Sequence, residues 1–587
     1  MKNRFLSFLL LVSFLKIQSQ SIDIKWSEQF IYDNKIDGFF DEYIGTNGNN
    51  LYARFSNLSL ANTSGDSKIK LVAFDKTTMK KVGETELKGY KGSKDEAKYN
   101  YHSSIILNKI IYILWTKDAK DVTELYVQSF DEKLKKINGL KKIYEISTSK
   151  KNREKLLVLY NNKTNGKILI GKEFDVTNDN EDLRIEYKLI NPDFTFITAK
   201  QVTLPIVITK RRRGLFSSYY SGSNASYELA DDGNLYVQDV LKVSEEEKKS
   251  LKKGEASTYT HIMQVQIESG VVKDYKVKFP NKNTFNFSSL ITKDGIKLYG
   301  FFSDLEKDPK GRDTHGIFYI SLDSKNLNAR GEKFSYFDKS FLDVLYASDK
   351  ENQKKGKGLF KSKKAKASDE ESIDDNYVIE KVIEDGNDLV IFCSIMNNWS
   401  RTYCSTGANG SQSCYTVYYC TKNNVTSFKL NPKGDIVWAK NLDRSITYTG
   451  RWNVYDLNII KNDNNYYVTY GSSFQLNSEK KNRRSRKSRK QITDRLEYAV
   501  FSSSTGDYKK AEYKVNPINV KSKEAKFVSP EDIEVFDNRM YTSCTRTKLK
   551  PSTYISCLCP PVFYYLNLLS GNSRKGQGYL GTISALK

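Results

Sequence analysis

One phrase recurs along the chain: a tight turn of Gly, Asn or Asp, followed at once by a short apolar strand that usually carries Tyr. It reads Gly48-Asn49-Asn50-Leu51-Tyr52, Asn108-Lys109-Ile110-Ile111-Tyr112, Asp232-Gly233-Asn234-Leu235-Tyr236 and Asp294-Gly295-Ile296-Lys297-Leu298-Tyr299. It continues as Asp385-Gly386-Asn387-Asp388-Leu389, Asp463-Asn464-Asn465-Tyr466-Tyr467 and Asp537-Asn538-Arg539-Met540-Tyr541, with a degenerate copy at Lys155-Leu156-Leu157-Val158-Leu159. Such turns supply the positive φ angles that tight hairpins need. A second phrase follows each copy, an alternating strand and another tight turn, as in Leu71-Val72-Ala73-Phe74-Asp75 and Phe428-Lys429-Leu430-Asn431-Pro432; others centre near Asp131, Pro192, Ser269, Asp323, Thr505 and Gly571. A period of this kind outranks any single element as evidence of fold.

Two hairpins per unit make a four-stranded antiparallel sheet, and repetition of such sheets around an axis resembles the β-propeller superfamily. The resemblance implies an all-β fold of about eight four-stranded blades, seven being the other count the spacing allows. Aromatics at 13%, with 39 Tyr and 30 Phe, suit pleated, half-buried surfaces. A pair of β-sandwich domains would use similar strands and turns. The run Asn431-Pro432-Lys433-Gly434-Asp435-Ile436-Val437-Trp438 is similar to the turn-plus-tryptophan signatures of quinoprotein propellers and sialidase Asp boxes. Those families repeat the motif and this chain carries one clear copy, so neither their cofactor nor their substrate is carried over.

Residues 1–21 read as a secretory signal peptide: Lys2 and Arg4, an apolar run from Phe5 to Leu15, then Ile17-Gln18-Ser19-Gln20-Ser21. The run is short for a membrane span and meets Lys16. The propeller would then occupy 22–587, exported to the periplasm or beyond and peripheral to the outer membrane rather than integral. In an oxidising compartment, Cys404 with Cys414 and Cys544 with Cys557 are disulfide candidates, each pair flanking a loop. Cys557-Leu558-Cys559 lacks the two-residue spacing of zinc or thioredoxin sites, and Cys393 sits in an apolar run.

In an up-and-down blade the a–b and c–d turns leave one face, and the b–c and blade-to-blade connections leave the other. All the short turns fall on the first face. The long insertions, near 242–258, 303–315, 397–424, 475–494 and 545–553 within blades and 209–224 and 349–376 between them, fall on the second. Three tracts there carry most of the formal net charge of +24: Lys210, Arg211, Arg212 and Arg213; Lys354, Lys355, Lys357, Lys361, Lys363, Lys364 and Lys366; and Lys480, Lys481, Arg483, Arg484, Arg486, Lys487, Arg489 and Lys490. Such blocks are either solvated loops or docking elements. An exported chain meets anionic lipid, acidic polysaccharide or an acidic protein surface rather than nucleic acid. Gly214-Leu215-Phe216 and Gly358-Leu359-Phe360 each sit in a basic loop, a repetition read as coincidence.

Chemistry-bearing motifs are sparse. His102, His261 and His315 fall in different units, where a metal needs clustered ligands. The oxygen-rich stretch Asp175, Asn178, Asp179, Asn180, Glu181 and Asp182 lacks the glycine and spacing of a calcium loop and reads as a solvated turn. No nucleophile elbow, phosphate loop or cofactor motif occurs, so no cofactor is expected. The expectation is a monomeric, non-catalytic binding or scaffold propeller of the cell envelope, docking a protein complex or anionic surface through its basic loops. The alternative is a secreted carbohydrate-active enzyme whose paired carboxylates lie near the axis.

Overall fold

The computed structural model describes residues 22–32, 38–56, 68–88, 99–149, 154–161, 166–175, 181–208, 225–243, 245–251, 255–292, 295–311, 313–343, 377–406, 412–462, 464–475, 492–512, 528, 532–549 and 574–585. Strands β1 (Ile22–Trp26) and β2 (Phe30–Tyr32) come first. Unit I follows with β3 (Phe39–Asn47), β4 (Asn50–Ser56), β5 (Lys68–Asp75) and β6 (Lys81–Lys88), and unit II with β7 (Asn100–Leu107), β8 (Ile110–Asp118), β9 (Val122–Phe130) and β10 (Lys136–Ser147). Unit III holds β11 (Lys155–Tyr160), β12 (Ile168–Glu173), β13 (Glu181–Ile190) and β14 (Phe196–Ile208); unit IV holds β15 (Ser226–Leu229), β16 (Leu235–Lys242), β17 (Thr258–Val265) and β18 (Val272–Val277). Unit V holds β19 (Lys282–Thr292), β20 (Gly295–Asp304), β21 (Gly316–Asp323) and β22 (Ala329–Tyr336); unit VI holds β23 (Tyr377–Asp385), β24 (Asp388–Thr406), β25 (Gln412–Leu430) and β26 (Ile436–Thr449). Unit VII holds β27 (Asn458–Asn462), β28 (Asn465–Gln475), β29 (Ile492–Ser502) and β30 (Tyr508–Glu512), leaving β31 (Ile533–Phe536), β32 (Arg539–Leu549) and β33 (Arg574–Ala585).

Units I to VII are four-stranded antiparallel sheets paired in chain order. The eighth takes its fourth strand from the other end of the chain: β1 pairs with β33, Ile22 opposite Ala585 and Trp26 opposite Gly581. First strands of successive units meet, as β3 with β7, β11 with β15, β19 with β23 and β27 with β31, and contact of β3 with β31 closes the ring. The chain is an eight-bladed β-propeller.

The turn of each recurring phrase joins a blade's first two strands, in left-handed conformation where the sequence asks for it: φ is 48° and 66° at Asn108 and Lys109, 81° at Gly233, 67° at Gly386, and 47° and 54° at Asp537 and Asn538. The tyrosine after the turn then serves the joint between blades. Tyr52, fully buried, donates to the carbonyl of Glu132 in blade II at 2.8 Å, and the ring of Tyr112 meets Phe194 of blade III edge-on at 5.3 Å. Tyr236 accepts from Gln264 at 2.8 Å, and Gln264 reaches on to the carbonyl of Ser324 in blade V. Apolar clusters span neighbouring blades, one joining Leu183, Ile185 and Leu204 of blade III to Leu235, Val237 and Met263 of blade IV. Each such buried side chain contributes about 1.5–3 kcal/mol. The Asn431–Trp438 run docks the same way. Its Gly434, at φ 84°, lies so close to blade V that a Cβ would come within 2.8 Å of Lys333 and 2.9 Å of Tyr319.

Three local expectations are corrected. The degenerate third copy, Lys155–Leu159, belongs to the first strand of its blade, β11, and not to the second. Gly571 lies outside the described residues, in the connection between β32 and β33, because β1 supplies the strand that a turn there would have led to. Residues 397–406 and 412–423 form the outer part of a β-ribbon, because β24 and β25 pair continuously from Ile395 opposite Asn423 to Thr406 opposite Gln412.

Candidate functional site

Strands β24 and β25 run 19 residues each. Their inner halves belong to blade VI; β23 pairs with β24 only as far as Ile395, and β26 with β25 only from Tyr419. The outer halves therefore project as a two-stranded arm from the face of the b–c connections. Cys404 and Cys414, directly opposite in register, close its tip as a disulfide with Cα atoms 4.1 Å apart. Below it, Tyr403 stacks on Tyr415 at 5.4 Å, and Trp399 stacks on Tyr419 at 3.9 Å with ring planes 11° apart. The Tyr403 and Tyr419 hydroxyls meet at 3.2 Å, and Arg401 lies 5.2 Å from the Tyr403 ring. Cross-strand aromatic pairs of this kind stabilise a ribbon by a few tenths to about 1 kcal/mol each.

The connection from blade VI to blade VII runs against the arm. The Gly450 amide donates to the Tyr418 carbonyl at 2.7 Å, the Asn398 amide group donates to Asn453 at 2.6 Å, and Trp452 meets Tyr418 edge-on at 5.6 Å. Trp399, Tyr415, Tyr418, Trp452 and Tyr455 are 43–65% exposed, with Trp399 and Tyr415 on one face of the ribbon and Tyr418, packed on Trp452, on the other. Clustered exposed aromatics mark interaction sites, whereas scattered ones need no explanation.

Beneath the arm lies a closed ionic cluster. Lys422 is 2.5 Å from Glu380 and 3.2 Å from Asp456, and Arg444 is 2.7 Å from Asp456 and 3.3 Å from Glu380, all four side chains fully buried. Tyr448 and the Gly471 amide also donate to Asp456, at 2.7 and 3.1 Å, and Arg444 donates to Ser394 at 2.8 Å. Burial alone would raise the Asp456 carboxyl, but the charges of Arg444 and Lys422 outweigh it and hold it down at about 2. Two cations against two anions leave no net charge. Shut off from solvent, the cluster locks three strands of blade VI to the connection that braces the arm.

A second polar region lies where the first strands of blades VIII, I and II begin. Glu42 forms an ion pair with Arg54 at 3.1 Å and accepts from Tyr101 at 3.3 Å, and the Arg54 guanidinium lies 4.2 Å over the Tyr101 ring. These residues, with Tyr43, Ile44, His102, Ser103 and Ser104, line an open cavity of about 370 Å³. Burial, then Glu42, pushes the Glu534 carboxyl up to about 7, burial raises Asp41, and burial lowers His102.

The disulfide expected between Cys404 and Cys414 is present. Cys544 is buried, and its expected partner Cys557 lies outside the described residues, as do all three basic tracts, both Gly-Leu-Phe copies and residues 1–21. In the chain the basic tracts fall between β14 and β15, between β22 and β23, and between β28 and β29. His102, His261 and His315 fall in blades II, IV and V; His261 bonds Asp274 at 2.8 Å, and His315 accepts from the Asp304 amide at 3.2 Å. Asp175, Glu181 and Asp182 are described, and 176–180 are not. Among the described residues no three His, Cys, Asp or Glu side chains converge as a metal requires, and no helix is long and apolar enough to cross a membrane. Sequence reasoning missed the arm, the ionic cluster and the Glu42 cavity. The arm alone left a signal: from Met396 to Thr421 only Arg401 is charged, in a chain that is 28% charged.

No protein-family model matches the sequence, and no curated protein matches it. Among solved structures the chain is similar to the WD40 domain of SCAP from fission yeast, at 8% identity and TM-score 0.35 over 95% of this chain and 98% of that one. It is also similar to the polysaccharide lyase Uly1, at 10% identity and TM-score 0.31 over 85% and 95%. Similarity to a prolyl endopeptidase is 12% identity and TM-score 0.34 over 88% of this chain, which spans 55% of that protein's length. Enzymes and a WD40 domain thus stand side by side, and none of these likenesses bears on activity.

Proposed function

We propose that the chain is an exported binding or scaffold propeller of the cell envelope that docks a protein complex or an anionic surface through the face carrying its long connections. The observation that carries this reading is the arm: disulfide-closed, anchored on a buried ionic cluster, and set with exposed aromatic rings. Rigid aromatic anchors supply contact area at low ordering cost. The formal charge of +24 would steer an acidic partner towards the molecule. The test is purification of the tagged mature protein from gently solubilised envelopes, with crosslinking and mass spectrometry. One stoichiometric partner crosslinked through Lys354 to Lys366, Lys480 to Lys490 or the arm supports docking; recovery of the protein alone counts against it.

A second reading, glycan cleavage by paired carboxylates, is favoured by one observation. Burial, then the charge of Glu42 on the lining of an open cavity, pushes the Glu534 carboxyl up to about 7, where a general acid would be held. Turnover of any member of a broad glycan panel, lost in Glu534→Gln, would establish it; no turnover across the panel at pH 5 to 8 would dismiss it.

A further inference from the structure

We infer that the open edge of β24, from Met396 to Thr406, is a strand-docking site that takes an extended segment of a partner protein. The inference rests on the docking role proposed for the arm's face. On one side this stretch pairs with β25; on the other, past Ile395, no described strand pairs with it. Roughly every second residue of such an edge turns its backbone N–H and C=O outward, over a length of about 35 Å. Only another extended backbone satisfies a row of groups like that.

The same molecule shows how its other edges are defended. The outermost strand of each blade is also an edge, and charge is dense on several: Lys81, Glu84, Glu86 and Lys88 in β6, Lys273, Asp274 and Lys276 in β18, Arg330, Glu332 and Lys333 in β22, Lys509, Lys510 and Glu512 in β30; β14, with Lys200 alone, carries Pro205 and a register shift instead. β10 adds three register shifts to its lysines. Charges and irregularities of this kind prevent unwanted pairing. Between Met396 and Thr406 there is one charged residue, Arg401, no proline, and no register shift beyond Ile395. The edge is also held straight before anything binds, by the Cys404–Cys414 disulfide and the Trp399/Tyr419 stack. Trp399 and Tyr403, two rungs apart on one face, would frame alternate side chains of the incoming strand.

The occupant is a partner rather than a second copy of this chain. Pairing two copies edge to edge would bring together two strongly basic molecules, whereas a segment low in positive charge with acidic flanks is drawn in.

A random-peptide display library panned on the full mature chain supplies the probe, followed by hydrogen exchange with one selected peptide. The expected result is slowed exchange within 396–406 on binding, at least about tenfold weaker binding when alternate peptide amides are N-methylated, and a similar loss in the edge variants Ser400→Lys and Thr402→Lys. Binding indifferent to N-methylation, protection confined to other segments, or an unenriched library overturns the inference. Concentration-dependent self-association that protects 396–406 without peptide overturns the choice of occupant. If a native partner crosslinks to the arm's face while 396–406 stays unprotected, strand docking falls and the docking face stands; crosslinks confined to the opposite face bring down both.

Discussion

Glu380, Lys422, Arg444 and Asp456 under the arm, and Asp41, Glu42, Arg54 and Glu534 at the first strands of blades VIII, I and II, are built from the same kinds of side chain and reach opposite ends. The first set balances two cations against two anions, is closed to solvent, and depresses its Asp456. The second sets two carboxyls, Asp41 and Glu42, against one guanidinium beside an open cavity, and burial together with Glu42 raises the nearby Glu534. Balance under burial makes charge a structural bolt, since each ion lies against charges of opposite sign. Burial beside a second carboxylate leaves instead a carboxyl that keeps its proton up to about pH 7.

The largest effect that should separate them is on stability. Arg444→Met leaves Glu380 and Asp456 sharing Lys422 in a closed site, and should cost about 3–5 kcal/mol in urea unfolding. A change within experimental error would mean that the cluster does not bolt the arm to its blade. Next in size is the acid response. Asp456 is depressed in the folded state, so its contribution is full above the ordinary aspartate value near 4 and is lost as pH falls through about 2. Acid titration followed by tryptophan fluorescence should show that step, and Asp456→Asn should remove it.

Smaller and confined to the arm is the effect of replacing Cys404 and Cys414 by Ser. Hydrogen exchange should quicken in 397–419 while the melting temperature of the ring stays unchanged, because the bridge closes a hairpin outside the blade. Smallest, and opposite in sign to the first, is Glu534→Gln. A carboxyl raised to about 7 favours folding below its ordinary pKa, and that contribution is lost as pH rises through about 7. The variant should therefore gain slightly in melting temperature over the parent at pH 8 and show no gain at pH 5. The same gain at both values would remove the contrast between the two clusters.

The ring was legible in the sequence because its turns are local. Asn108-Lys109, Gly233, Gly386 and Asp537-Asn538 declare their hairpins within a few residues, and the tyrosines that follow declare the buried strand. Blade III was misplaced by one strand because its turn signal, Asn161-Asn162 and Asn165-Gly166, follows Lys155–Leu159 instead of preceding it, and the strand after it, Ile168-Leu169-Ile170, carries no tyrosine. The arm read as a loop because Asn, Ser and Thr are turn residues by habit, yet in 397–406 and 412–423 they sit in a ladder continued by Trp399/Tyr419 and Tyr403/Tyr415. Neither charge cluster was visible. Glu380, Lys422, Arg444 and Asp456 come from four separate segments, and Glu42 meets Glu534 only after the ring has closed.

The pairing of Ile22–Trp26 with Gly581–Ala585 has a consequence for how the molecule is made. The first of these strands leaves the ribosome before any blade exists, and the strand it needs is the last to appear. Until then the nascent chain carries seven sheets with nothing to complete the eighth, and the edges on either side of the gap stand open. Contacts this distant in sequence form late and slowly. Trimming the last few described residues would accordingly do more than shorten a strand: it would strip β1 of its partner and leave the circle open.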